Sequence, residues 1–168
     1  REALHPYRGL VIATKGGFRH PTKGAWTPDG RPEHLRNALE GSLKRLQVDR
    51  IDLYQFHTPD SRVPFSESIG ALRDFQQEGK IRYIGVSNVN LDQLTEARRE
   101  VSVVSVQNLF NVTSRDGHDV LEFCEEKGIA YIPWRPLADG RLPLNDAGMR
   151  QVAGKHGATV AQVMLAGL

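Results

Sequence analysis

The feature that most constrains this chain is a regular alternation of short apolar runs with longer amphipathic stretches. Five runs rich in β-branched residues are each long enough for a strand and too short for a helix: Gly9–Lys15, Ile51–His57, Ile81–Asn88, Val103–Asn108 and Gly128–Trp134. Between them apolar residues recur at helical spacing. Leu35, Leu39, Leu43 and Leu46 form one set; Ile69, Leu72 and Phe75 a second; Leu91, Leu94 and Ala97 a third; Val120, Leu121 and Phe123 a fourth. Boundary residues agree. Pro32 suits a first helical turn, Gly79 and Gly128 suit helix ends, and Asn90 with Gln93 has capping-box spacing. Two further helices are expected over Asp146–His156 and Thr159–Gly167, the second with a capping box from Thr159 and Gln162. Strands joined by helical crossovers run parallel in a sheet covered by helices. The pattern therefore predicts one α/β domain of five consecutive βα units, with no linker or second domain. One connector stands apart: Gly16–Gly30 is rich in Gly and Pro and long for a loop, a length that usually accompanies function or mobility.

Composition narrows the class. The 168 residues carry 22 Lys+Arg and 20 Asp+Glu, a formal net charge of +2, which excludes a basic scaffold built on phosphate neutralisation. Hydrophobic residues at 39% and charged residues at 25% fit a folded domain with a core rather than a disordered chain. No run approaches the ~20 apolar residues of a membrane span, and REALHPYRGL lacks the apolar stretch of a signal peptide. A single cysteine, Cys124, suits a reducing compartment. The expectation is a soluble, cytoplasmic protein with no nucleic-acid or membrane partner. The chain opens on Arg1 rather than Met.

Each apolar run turns polar at its carboxyl end: Lys15, His57, Ser87 with Asn88, Gln107 with Asn108, and Trp134 with Arg135. In parallel α/β folds these ends share one rim, where ligands bind. Lys15 follows an apolar run and precedes two glycines, so its ammonium is placed to stabilise a developing oxyanion or to lower a neighbour's pKa. His57 closes a strand, with a satisfied core histidine as the alternative. Asn88 and Gln107 offer amide donors and acceptors suited to a ligand's carboxamide, though structural hydrogen bonding fits either one alone. Trp134 lies between prolines in PWRP and presents a ring for stacking, unless it is only a core aromatic; Arg135 beside it suits phosphate or carboxylate. His5, His20, His34, His118 and His156 receive no role. No cluster has metal-ligand spacing, and neither a phosphate loop nor a GxGxxG fingerprint is present.

In order along the chain, ATKGG, LYQFHTPD, GKIRYIGVSN, SVQNLFN and IPWRPLADG resemble the aldo-keto reductases, as does the long stretch RPEHLRNALEGSLKRLQVDRIDLYQFH. The resemblance covers essentially the whole chain, and RPEHLR with GVSN is similar to the bacterial branch that includes pyridoxal reductases. It implies a TIM (β/α)8 barrel and NADP(H)-dependent reduction of a small-molecule aldehyde or ketone. Lys15 and His57 match the family's catalytic lysine and histidine. Ser87, Asn88 and Gln107 match the residues that hold the nicotinamide carboxamide, Trp134 the aromatic that stacks on the ring, and Arg135 and Leu137 the start of the pyrophosphate loop.

The family also uses an aspartate and a tyrosine from a DxAxxYG-like segment that would precede Arg1, and 2′-phosphate ligands that would follow Leu168. The expectation is thus a partial barrel, its third to seventh units, inactive alone for want of the tyrosine. Were the chain active by itself, Tyr54 or Tyr83 would have to be the acid. Two other readings are a non-catalytic interaction module on the same fold and a different TIM-barrel enzyme. The last would require a phosphate site or paired rim carboxylates, which the sequence does not offer.

Overall fold

A computed structural model describes residues 3–140 and 145–168. After a run of turns, the chain enters strand β1 (Ala13–Gly16), then a two-stranded hairpin of β2 (Phe18–Arg19) and β3 (Thr27–Pro28). Helix α1 (Pro32–Leu46) leads to β4 (Ile51–Phe56), α2 (Phe65–Gln77) to β5 (Ile81–Ser87), and α3 (Leu91–Glu100) to β6 (Val103–Gln107). Helix α4 (His118–Lys127) precedes β7 (Ala130–Tyr131); α5 (Ala147–Lys155) and α6 (Val160–Ala166) close the chain. The five long-range strands pair in the order β1-β4-β5-β6-β7, every pair parallel. This is the sequential α/β sheet that the alternation predicts.

Local chemistry sets the helix ends. Pro32 opens α1, and Gln47 ends it in the left-handed conformation. Both predicted capping boxes form, Asn90 with Gln93 and Thr159 with Gln162. Gly128, at φ 64°, ends α4. Leu35, Leu39, Ile69, Leu72, Phe75, Leu94 and Ala97 are buried in one core with Tyr54, Phe56, Ile84, Val86 and Val106 of the sheet. Burial of each large apolar side chain stabilises the fold by about 1.5–3 kcal/mol.

Three boundaries differ from expectation. The first strand begins at Ala13, not Gly9, because the preceding residues fold into turns closed by Tyr7 N–H to Leu4 carbonyl and Leu10 N–H to Tyr7 carbonyl. The last regular strand is only Ala130–Tyr131. Its ladder continues irregularly through the Ile132 and Trp134 N–H groups, 2.8 Å and 3.0 Å from the Val106 and Asn108 carbonyls, around Pro133, which has no N–H to give. The Gly16–Gly30 connector, read as a loop, holds the β2–β3 hairpin.

Strand alternation gives the sheet two chemical faces. Tyr54, Phe56, Ile84 and Val86 meet the helices. In register on the opposite face, Ala13, Leu53 and Tyr83 form one row, and Lys15, Gln55, Gly85 and Ser105 the next. Among the described residues no helix is long and apolar enough to cross a membrane.

Candidate active site

The second row leads directly to the rim. His57 continues β4, its N–H 2.9 Å from the Gly16 carbonyl, and Asn88 continues β5, its N–H 3.1 Å from the Gln107 carbonyl. Lys15, Phe18, Trp26, His57, Thr58, Ser87, Asn88, Gln107, Trp134 and Arg135 line one cleft of about 660 Å³ at the carboxyl ends of the strands. Seven of the eight residues to which the family resemblance gives a role therefore converge there. The exception is Leu137, which lies outside the cleft lining; its carbonyl accepts the Gly140 N–H at 2.9 Å in the turn that follows.

Among the described residues the cleft lining is polarised without a carboxylate. Lys15 is partly buried, and burial pulls its ammonium below the ordinary lysine value. His57 is pushed down to about 4, first by burial and then by the charges of Lys15 and His20. At neutral pH it is an uncharged imidazole, with one N–H to donate. The Phe18 ring stands edge-on to it, centroids 4.6 Å apart, and the Trp26 ring lies 6.1 Å away.

Asn88 sits at φ 56° and knits three strand ends together. Its Nδ2 donates to the His57 carbonyl at 2.9 Å and to Ser87 Oγ at 3.2 Å, while its Oδ1 accepts the Trp134 indole N–H at 2.9 Å. Ser87 Oγ in turn donates to the Gln107 carbonyl at 2.6 Å. The side-chain amide of Gln107, by contrast, has no hydrogen-bond partner among the described residues although it faces the cleft. Asn108 turns away from the cleft, clasping the Val89 main chain through both amide atoms. Arg135, at φ 53°, lies over the Trp134 ring at 5.0 Å and pairs with Asp139 at 2.7 Å. The Gln107 carboxamide, the Trp134 ring and the Arg135 guanidinium thus line the same cleft.

Tyr54, one of the two tyrosines open as an acid, points to the helices. It is fully buried with its hydroxyl 3.5 Å from the Leu35 carbonyl, and burial raises its pKa well above the usual phenol value. Tyr83 lies on the cleft side of the sheet, two residues before Gly85. Among the described residues no group of His, Cys, Asp and Glu could hold a metal ion. A groove between α1 and α2, lined by Arg36, Glu67 and Arg73, brings no comparable chemistry together. Sequence reasoning missed Phe18, Trp26 and Thr58. The signal was available for two of them, as aromatics in the one overlong connector.

The aldo/keto reductase family matches residues 2–166, and the chain belongs to that family. An uncharacterized oxidoreductase of Schizosaccharomyces pombe is 49% identical over 142 residues, 84% of this chain and 46% of the yeast protein. The pyridoxine 4-dehydrogenase of Escherichia coli is 37% identical over 175 aligned residues, 100% of this chain and 61% of the enzyme. An aldo/keto reductase from Klebsiella pneumoniae, solved with NADP and acetate, superposes with a TM-score of 0.71 at 28% identity, over 94% of this chain and 55% of that one. The chain thus spans 46% and 61% of the length of these two curated relatives.

Proposed function

We propose that this chain carries the lysine and histidine side of an NADP(H)-dependent site that reduces small aldehydes or ketones to alcohols. In the same reading its βα units are the third to seventh of a (β/α)8 barrel. The observation that carries it is the meeting of a partly buried ammonium, a neutral imidazole and an open carboxamide in one cleft.

When bound, NADPH supplies the hydride that the carbonyl carbon receives. His57 donates a hydrogen bond to the carbonyl oxygen and orients it. Lys15 stabilises the negative charge that grows on that oxygen and lowers the pKa of the group that protonates it. Gln107, with Ser87 and Asn88, would hold the nicotinamide carboxamide, Trp134 would pack on the ring, and Arg135 and Leu137 would begin the pyrophosphate contact. In this reading the proton is supplied by a tyrosine assisted by an aspartate from another part of the barrel, and the 168 residues alone are expected not to turn over. The name of the Escherichia coli relative makes pyridoxal and other aromatic aldehydes the first substrates to try. A reducing, cytoplasmic setting completes the reading.

The test uses protein translated from the whole open reading frame. NADPH should quench tryptophan emission, and Gln107→Ala should weaken binding about three- to ten-fold, the worth of one hydrogen bond. Lys15→Met and His57→Ala should each cut kcat by roughly 10²–10⁴. Unchanged NADPH affinity in Gln107→Ala would return that amide to a structural role. Turnover near 1 s⁻¹ by the 168 residues alone would place the acid inside them, with Tyr83 the group to mutate.

A further inference from the structure

The β2–β3 hairpin has a construction that the roles above do not use. Phe18 and Arg19 are adjacent, so they face opposite sides of it. On the cleft side the Trp26 ring meets Phe18 edge-on at 5.5 Å, and the His20 ring packs against Trp26 at 3.9 Å. Trp26 is nevertheless 59% exposed.

On the back, Asp29 is only 1% exposed and receives Arg19 Nε at 2.9 Å and a two-pronged contact from Arg31 at 2.9 Å and 2.7 Å. Its N–H donates to the Gly17 carbonyl at 2.8 Å. A second buried carboxylate, Asp60, accepts the Gly30 N–H at 3.1 Å and holds Arg62, which also donates to the Pro28 carbonyl. Burying two carboxylates is costly unless each is fully paired. Here both pairings fix the root of one hairpin, and the outcome is an indole held open to solvent beside His57.

We propose that the hairpin is the substrate-side wall of the cleft: Trp26 receives the planar ring of an aromatic aldehyde, and Asp29 positions Trp26. This rests on the carbonyl-reductase reading. A ring laid against the indole carries its exocyclic carbonyl toward the imidazole, whose centroid lies 6.1 Å from that of Trp26. An aliphatic aldehyde reaches the same imidazole without using the wall. Asp29 touches no substrate and acts only by fixing the hairpin.

The chain has two tryptophans, so a Trp134→Phe background leaves Trp26 as the reporter among these residues. In that background of the whole-frame protein, 4-nitrobenzaldehyde without cofactor should quench emission saturably. Asp29→Asn should weaken that binding about ten-fold, and Asp29→Glu should recover part of it. Trp26→Ala, at an exposed position that the fold tolerates, should lower the ratio of kcat/KM for 4-nitrobenzaldehyde over propanal about ten-fold, the worth of one aromatic contact. Linear, unsaturable quenching or an unchanged ratio overturns the wall. Saturable quenching with no turnover of any aldehyde counts against the reductase reading alone.

Discussion

An imidazole whose pKa has fallen from 6.5 to about 4 leaves a signature in stability as well as in chemistry. The unfolded chain takes up a proton at His57 as pH falls through 6.5, whereas the folded chain resists until about 4. The unfolded state therefore binds more protons across that window, and the stability present above pH 6.5 is lost as pH falls to 4. Because His57 is only half-buried, solvent screening limits the effect to about 1–2 kcal/mol. Asp60, held at about 2 chiefly by its Arg62 bond, titrates below this window and does not obscure it. Urea midpoints at about pH 7.5 and about pH 5 measure the difference. Replacing His57 by Gln should shrink it; an equal pH dependence in that variant would mean that another group carries the loss.

At the scale of elements, Gly85 is the hinge between packing and chemistry. A Cβ there would lie 2.3 Å from Ser105 Oγ, 2.9 Å from Gln55 Cγ and 3.2 Å from the Ser105 carbonyl, with little room for all three to yield. Gln55 Nε2 reaches Ser105 Oγ at 3.4 Å across this gap, forming the polar layer directly beneath the rim. Gly85→Ala should cost about 1–3 kcal/mol by overpacking, read as a lower urea midpoint with unchanged slope. Gly79→Ala, at φ 75° with open space around it, strains only a turn remote from the rim. The crowding at Gly85 was not legible in the sequence, whereas Gly79 already reads there as a helix-end glycine. Legible features rest on local rules: leucine spacing in α1, both capping boxes, and the polar residue closing each run. The hairpin was not, because two-residue strands leave no periodicity and their brace joins Asp29 to Arg19, and Gly30 to Asp60 across 30 residues. Nor was the clasp of Asn88 on Trp134, a contact over 46 residues set by where the sheet brings β5 and β7.

At the scale of the whole molecule, helices among the described residues cover one face of the parallel sheet, while on the other Gln55 and Ser105 are buried but flanking apolar side chains stay open. Parallel sheets ordinarily have both faces buried, yet here Tyr83 is 40% and Ile132 36% exposed on the cleft-side face. Outer strands β1 and β7 also end the sheet among the described residues, and unpaired strand edges template association. In the proposed barrel, further strands would cover this face. The 168-residue chain studied alone should accordingly self-associate through it and bind a hydrophobic dye, with sedimentation velocity reporting species above the monomer. Charges placed on the face by Tyr83→Lys together with Ile132→Glu should raise the concentration needed for association by at least about ten-fold, ~1.4 kcal/mol. Leu165→Glu, at an exposed apolar position on α6 rather than on the sheet, is the matched control and should leave association where it was. If Leu165→Glu disperses the assembly and the sheet-face charges do not, the helices carry the association and the open face needs another account.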